Sequence, residues 1–285
     1  MLRYWNYFPA CWDGVMSGRQ VGVYTHGHHE SVLRSHRWRT AENSAGYLIP
    51  DLRAGVSVLD VGCGPGTITH DFAALVAPGV VVGVDNVESP LEIARAGAVE
   101  RGLDNVRFDS ADVHELPYAD GSFDVVHAHQ VLQHLTDPVA ALREMRRVCR
   151  PGGVVAARDA DYGGMRWSPE NPGLDRWLAL YRDVARHNGA YPDGGQHLKS
   201  WALEAGFSEV GCTATAWCFA TPEERSWWGN LWADRIRRSS FAEQALGHGL
   251  TTRAELEDLA AAWHAWIDAE DGWFAVLNGE IRCHP

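Results

Sequence analysis

One stretch limits the possible fold more than any other: Val58-Leu59-Asp60-Val61-Gly62-Cys63-Gly64-Pro65-Gly66-Thr67. A run apolar enough for a buried strand passes straight into a glycine-rich turn that opens a helix. Glycines there permit a tight turn and let a ligand approach the backbone closely. The same rhythm continues from Ser57 to Asp161. Val80–Val84, Val106–Ser110, Phe123–Ala128 and Val154–Ala157 predict further strands, with helices over Thr67–Val76, Pro90–Arg101 and Pro138–Cys149. Strands that are apolar throughout, alternating with helices, specify a mostly parallel sheet covered on both faces, the doubly wound α/β class. A bare strand-to-helix turn without a ligand also explains the glycines, so a second feature is needed.

That feature is Asp85, which ends the second strand 23 positions after Gly62. An acidic residue about 20 positions beyond such a turn accepts hydrogen bonds from ribose hydroxyls. A dinucleotide site is usually spelled GxGxxG, whereas here Gly66 follows Gly64 by two residues. That spacing disfavours a nicotinamide oxidoreductase.

Composition removes other classes. The net charge is −12, which argues against nucleic acid as a partner because phosphate neutralisation needs clustered positive charge. The one basic run, Arg143, Arg146, Arg147 and Arg150, reads as the exposed end of a helix. Of 25 basic residues only Lys199 is a lysine, and it follows no glycine-rich turn, so a lysine phosphate loop is excluded. The six cysteines show no CxxC pair, and no metal site is expected. No apolar run spans a membrane and the first residues lack a signal-peptide pattern, so a cytoplasmic, reducing compartment is expected.

Beyond the alternating stretch, helices are predicted over Leu174–Arg186, Leu198–Ala205, Glu223–Arg237 and Arg253–Trp266, and strands over Thr213–Phe219 and Trp273–Arg282. Residues 28–49 read as one helix ending at Pro50. The 13 tryptophans are unevenly placed: none lies between Trp38 and Trp167, and seven fall from Trp217 to Trp273. Trp227, Trp228 and Trp232, like Trp263 and Trp266, have helical spacing, which suits core packing or the wall of a ligand pocket.

VLDVGCGPG, VVGVD, SADVHELPYADGSFDVV and RPGGVV together resemble the class I S-adenosylmethionine-dependent methyltransferases, in particular the ubiquinone/menaquinone-biosynthesis type (methyltransferase type 11). The likeness covers about residues 30–160. It implies a seven-stranded Rossmann-like sheet and methyl transfer from S-adenosylmethionine to a small organic acceptor, with S-adenosylhomocysteine as product. The acceptor would belong to natural-product or quinone-type biosynthesis; the alternative is a cyclase of the same fold that keeps the cofactor without transferring its methyl. Gly62, Cys63 and Gly64 would line the methionine portion, Asp85 the ribose, and Asn86, Ala111, Asp112 and Val113 the adenine. Gln130 would sit by the sulfonium, and Asp60 would organise the loop or touch the ligand. Residues 1–50 would form a lid bringing Tyr24, His28, His29 and Arg37 to the site, residues 51–221 and 272–285 the core, and 222–271 a helical cap.

The catalytic half is less specified. His134, in Gln130-Val-Leu-Gln-His134, is the leading general-base candidate, followed by His29 and by Asp159 at the rim beyond the fifth strand. Each has an ordinary structural alternative, a solvated or backbone-bonded side chain.

Overall fold

The structure, a computed structural model, describes Thr25 and residues 30–285, with side chains from residue 34 onward apart from Thr25. Tyr24, His28 and His29 therefore lie outside the described residues. Five strands, β1 (Val58–Val61), β2 (Val81–Asp85), β3 (Val106–Ser110), β4 (Phe123–His129) and β5 (Cys149–Ala160), run parallel in the order β3-β2-β1-β4-β5. β8 (Trp273–Cys283) pairs antiparallel with β5 on one edge and with β7 (Val210–Phe219) on the other. β6 (Arg166–Ser168) extends the line of β5 along β8, pairing with Trp273–Ala275. The sheet thus has eight strands rather than seven. The extra one is three residues long, too short to leave a pattern in the sequence.

Alternation along each strand explains the double winding. Leu59, Val61, Val82, Val84, Val126 and Val155 face α5 (Pro138–Val148) and α7 (Leu198–Glu204), where they bury Leu142, Met145, Leu198 and Trp201. Val58, Val81, Val125, Val154 and Ala156 face the other way, onto α3 (Thr67–Val76) through Ile68, Phe72 and Val76. α4 (Glu88–Glu100) covers Phe108 with Leu91 and Ala94.

The segment before β1 departs from expectation. α1 (Glu30–Arg37) stops short, and α2 (Ala41–Ala45) restarts behind a capping box: Thr40 Oγ1 accepts from the Asn43 N–H, and Asn43 Oδ1 accepts from the Thr40 N–H. Ala41, Ala45 and Leu48 are buried with Phe72, so residues 41–48 belong to a core layer, not to a lid. The arginine run is likewise tied down. Arg147 binds Glu144 and Asp120, Arg143 bonds the Glu204 carbonyl, and Arg150 lies in β5 beside Asp124.

After α6 (Pro172–His187), three helices occupy the span between β7 and β8: α8 (Pro222–Arg238), α9 (Ser240–Gly247) and α10 (Arg253–Asp268). They build a second core in which Trp177, Trp232, Trp263, Trp266 and Phe274 are fully buried. Trp177 and Trp263 meet edge to face at 4.8 Å, and Phe219 stacks on Trp228 at 4.4 Å. α9, which sequence patterning missed, is amphipathic over only two turns. Among the described residues no helix is long and apolar enough to cross a membrane.

Candidate active site

A cleft of about 460 Å³ opens at the carboxyl ends of β1, β2 and β4, where ligands bind in doubly wound sheets. It brings together Asp60, Gly62, Cys63, Gly64, Asp85, Asn86, Ala111, Asp112, Val113 and Gln130. Gly62 has φ +65°, and a Cβ there would lie 2.3 Å from Val131 Cγ2, so no larger residue fits. Gly66 (φ +77°) serves helix packing: its Cβ would meet Ala94 at 2.8 Å and Phe108 at 3.0 Å.

Two carboxylates hold this turn. Asp85 accepts from the Gly64 N–H with Oδ2 and from the Val87 N–H with Oδ1, both at 3.0 Å, clamping the turn after β1 to the end of β2. Asp60 is buried beneath the turn and takes Thr69 Oγ1 at 2.5 Å and His127 Nδ1 at 2.8 Å. Those bonds tie the end of β1 to α3 and β4, and Asp60 also lines the cleft. Asp112, on the exposed lip, receives the His114 N–H and ring nitrogen at 2.9 and 2.8 Å. Burial pushes the Cys63 thiol well above its usual range, so it lines the cleft as a neutral thiol.

Gln130 sits at the end of β4 with φ +53°, a left-handed conformation that costs a non-glycine residue roughly 1–2 kcal/mol. The conformation is over-determined by its contacts. Its N–H donates to the Arg158 carbonyl at 2.7 Å, its Oε1 accepts from Arg39 Nη2 at 2.7 Å, and its Nε2 donates to Asn278 Oδ1 at 3.3 Å.

Behind Gln130 the cleft meets a narrow chamber with about 30 Å³ of open space, room for about one water. Its walls are Trp38, Trp217, Trp227, Trp228, Trp232 and Tyr162, together with Arg39, Arg235, His36 and His134. His36, Arg39, Gln130 and His134 line both spaces. The tryptophan stripe therefore does two things, packing the second core and facing this chamber.

His134 stands where a base was expected, but burial and then the charges of Arg39 and Arg235 push its pKa down to about 3. It is a neutral imidazole and a poor proton acceptor. Asp159 requires a correction. β5 continues to Ala160, which places Asp159 inside the sheet, 1% exposed and lining neither space. Burial pushes its carboxyl up to about 7; the nearby amides of Gln133, Val131 and Leu132 oppose this without direct hydrogen bonds. Arg37 is exposed and lines neither space, because α1 ends there; Arg39, two residues on, takes the inward position. His129, at the end of β4, also lines the cleft, with both ring nitrogens buried and without a hydrogen-bond partner among the described residues. Burial lowers its pKa well below the ordinary value. Among the described residues no group of His, Cys, Asp and Glu side chains is arranged to hold a metal ion.

A family model described as a methyltransferase domain matches residues 52–227. An uncharacterized methyltransferase of Schizosaccharomyces pombe is 33% identical over 266 residues, 90% of this chain and 95% of its own. The chain is a class I S-adenosylmethionine-dependent methyltransferase. A ubiquinone/menaquinone biosynthesis C-methyltransferase of Bdellovibrio bacteriovorus is 46% identical to this methyltransferase, but over only 36% of this chain and 43% of its own. Among solved structures, the YcgJ protein of Bacillus subtilis shares the fold at a TM-score of 0.57 and 23% identity, covering 85% of this chain and 98% of that one. A Haemonchus contortus phosphoethanolamine N-methyltransferase, solved with S-adenosylhomocysteine, shares it at 0.51 and 18%, covering 81% and 49%.

The residues fit the methyl donor. The cleft has room for it, carboxylates stand at or just beyond the β2 and β3 ends, and His129 lines the space with two buried ring nitrogens that have no hydrogen-bond partner among the described residues. The enzyme therefore uses S-adenosylmethionine, and its acceptor side is the part still to be assigned.

Proposed function

We propose that the methyltransferase binds its donor in the cleft between Gly62, Asp85 and Asp112 and methylates a small organic acceptor held in the adjoining chamber. The observation that carries this reading is the shared wall: the cleft and the chamber meet at His36, Arg39, Gln130 and His134 and nowhere else among their lining residues. When bound, S-adenosylmethionine supplies a methyl group already activated by the sulfonium, so transfer is an in-line displacement in which the S–CH₃ pair stays with sulfur.

The protein's task is then orientation. Asp85 holds the turn and presents its carboxylate to the ribose. Asp112 and the backbone of Ala111 and Val113 flank the adenine, and Gly62 to Gly64 receive the methionine portion. Gln130, pinned between Arg39 and Asn278, borders the transfer path. His134 stays neutral and offers a hydrogen bond instead of removing a proton. The tryptophans exclude water from the path. An acceptor of the natural-product or quinone type suits an aromatic chamber of this kind.

The test is direct. Protein incubated with S-adenosylmethionine and a panel of phenolic, quinol and carboxylic acceptors should give S-adenosylhomocysteine and a product heavier by one methylene equivalent in mass spectrometry. Calorimetry showing no binding of S-adenosylhomocysteine would sink the reading.

A further inference from the structure

We propose that His114 is a positioning residue for the donor's adenine: it bridges the two lips of the cleft and fixes the Asp112 carboxylate for the adenine amino group. The proposal rests on the reading of Asp112 as an adenine contact and names the residue that makes that contact selective.

Two stretches of chain form this end of the cleft. Ala111 to His114 follow β3, while Leu135 and Thr136 lead into α5, and all of them line the space. Each lip is held from its own side. The His114 N–H donates to Asp112 Oδ1 at 2.9 Å, and the Glu115 N–H donates to the Asp112 carbonyl at 3.0 Å, which curls the first lip into a turn. On the second lip, Asp137 caps α5 by accepting the Ala140 N–H at 2.8 Å, which fixes its carbonyl at the start of the helix.

The His114 ring joins the two. Nδ1 lies 2.8 Å from Asp112 Oδ1, and Nε2 lies 3.1 Å from the Asp137 carbonyl oxygen. A carbonyl only accepts hydrogen bonds, and so does an ionised carboxylate. A neutral imidazole has one N–H and one lone pair, so it would serve one oxygen and turn a lone pair on the other. Serving both takes an N–H on each nitrogen, the imidazolium form.

The His114 side chain is 10% exposed, beside a carboxylate that is 60% exposed. An ion pair with so exposed a partner adds little to folding stability. Its effect falls on the site instead. One oxygen of Asp112 is pinned, the gap between the lips is set, and the adjoining positive charge favours the ionised carboxylate. That carboxylate accepts from the amino group of adenine and repels an oxygen in the same place.

The test titrates the full chain calorimetrically with S-adenosylhomocysteine and with S-inosylhomocysteine, whose base carries a carbonyl oxygen in place of the amino group. The parent should bind the adenine compound about tenfold more tightly or better, the usual worth of one charge-assisted hydrogen bond. Asp112→Asn should remove most of that preference. His114→Leu should shrink it about threefold or more, and His114→Asn, whose amide nitrogen takes the place of Nδ1, should restore part of it. Thermal melts establish that each variant is folded. In the parent saturated with S-adenosylhomocysteine near neutral pH, nitrogen-15 spectra should show both His114 ring nitrogens protonated, the signals being identified by their loss in His114→Asn. A preference unchanged in His114→Leu, equal loss of both affinities, His114→Asn no better than His114→Leu, or a neutral ring overturns the proposal. Failure of the underlying reading looks different: a parent without preference, or a preference that survives Asp112→Asn, removes Asp112 from the adenine and the proposal with it.

Discussion

Asp85→Asn is the most informative single change, because it keeps the size of the side chain and alters only what its two oxygens can do. In the parent, both oxygens accept a backbone N–H at 3.0 Å, from Gly64 and from Val87. An asparagine offers one acceptor and one NH₂, so in either orientation an NH₂ faces an N–H. One charge-assisted bond is lost and the turn loosens. Part of the binding free energy then goes into ordering the turn, and the ribose meets an amide in place of a carboxylate. A hydrogen bond to a charged group is worth about 1.5–3 kcal/mol, so S-adenosylhomocysteine affinity should fall by roughly ten- to a hundredfold. Asp85 is half-buried and water can replace part of the loss, which places the expectation toward the lower end. Isothermal titration calorimetry measures the affinity, and a thermal melt confirms that the variant is folded. Parent-like affinity in a folded Asp85→Asn protein refutes both the clamp and the ribose assignment.

Other outcomes follow from the same geometry. Gly62→Ala should cut donor affinity sharply in the same titration, because its Cβ would sit 2.3 Å from Val131 Cγ2 at a φ of +65°. His134 falls from 6.5 to about 3 on folding, so the unfolded chain takes up the proton first; the stability gained by keeping it neutral is complete above 6.5 and lost as pH falls toward 3. His134→Gln should flatten that part of an acid-denaturation curve and remove no pH limb from the rate near neutrality. Asp159 slopes the other way, from 3.8 up to about 7: its contribution is fully present below 3.8 and lost as pH rises through 7. Asp159→Asn should therefore raise Tm above pH 7 while leaving turnover intact, and a large loss of turnover would restore a catalytic role. Trp263→Ala, at a fully buried position, should cost about 3–5 kcal/mol in a urea melt.

The nucleotide half was legible because its constraints are local. A turn that crosses from strand to helix needs glycines at fixed spacing, and the carboxylate at the end of the next strand follows from the length of one βαβ unit. α3 begins and ends at the residues expected. The chamber and its surroundings are built from residues far apart in the chain. Arg235 meets Ser35 across 200 positions and Gln130 meets Asn278 across 148, and no periodicity announces either pair. Strand alternation sets His129 on the same side of β4 as His127, but only the fold shows its nitrogens buried without partners among the described residues. Asp159 was misplaced because β5 runs through Arg158 and Asp159. A buried ion pair of Arg158 with Glu280 from β8 makes charged residues compatible with a strand interior.

The uneven spread of tryptophan has an optical consequence. Among the described residues no indole lines the donor cleft, whereas five line the chamber. Most described tryptophans pack in the chamber's own core and only Trp201 in the core beneath the cleft's strands, so emission excited through tryptophan is weighted toward the chamber half of the described molecule. A titration with donor alone should barely move the spectrum, and a change on adding a second compound would mark arrival in the chamber. The protein carries its own label for the half of its chemistry that is still unassigned.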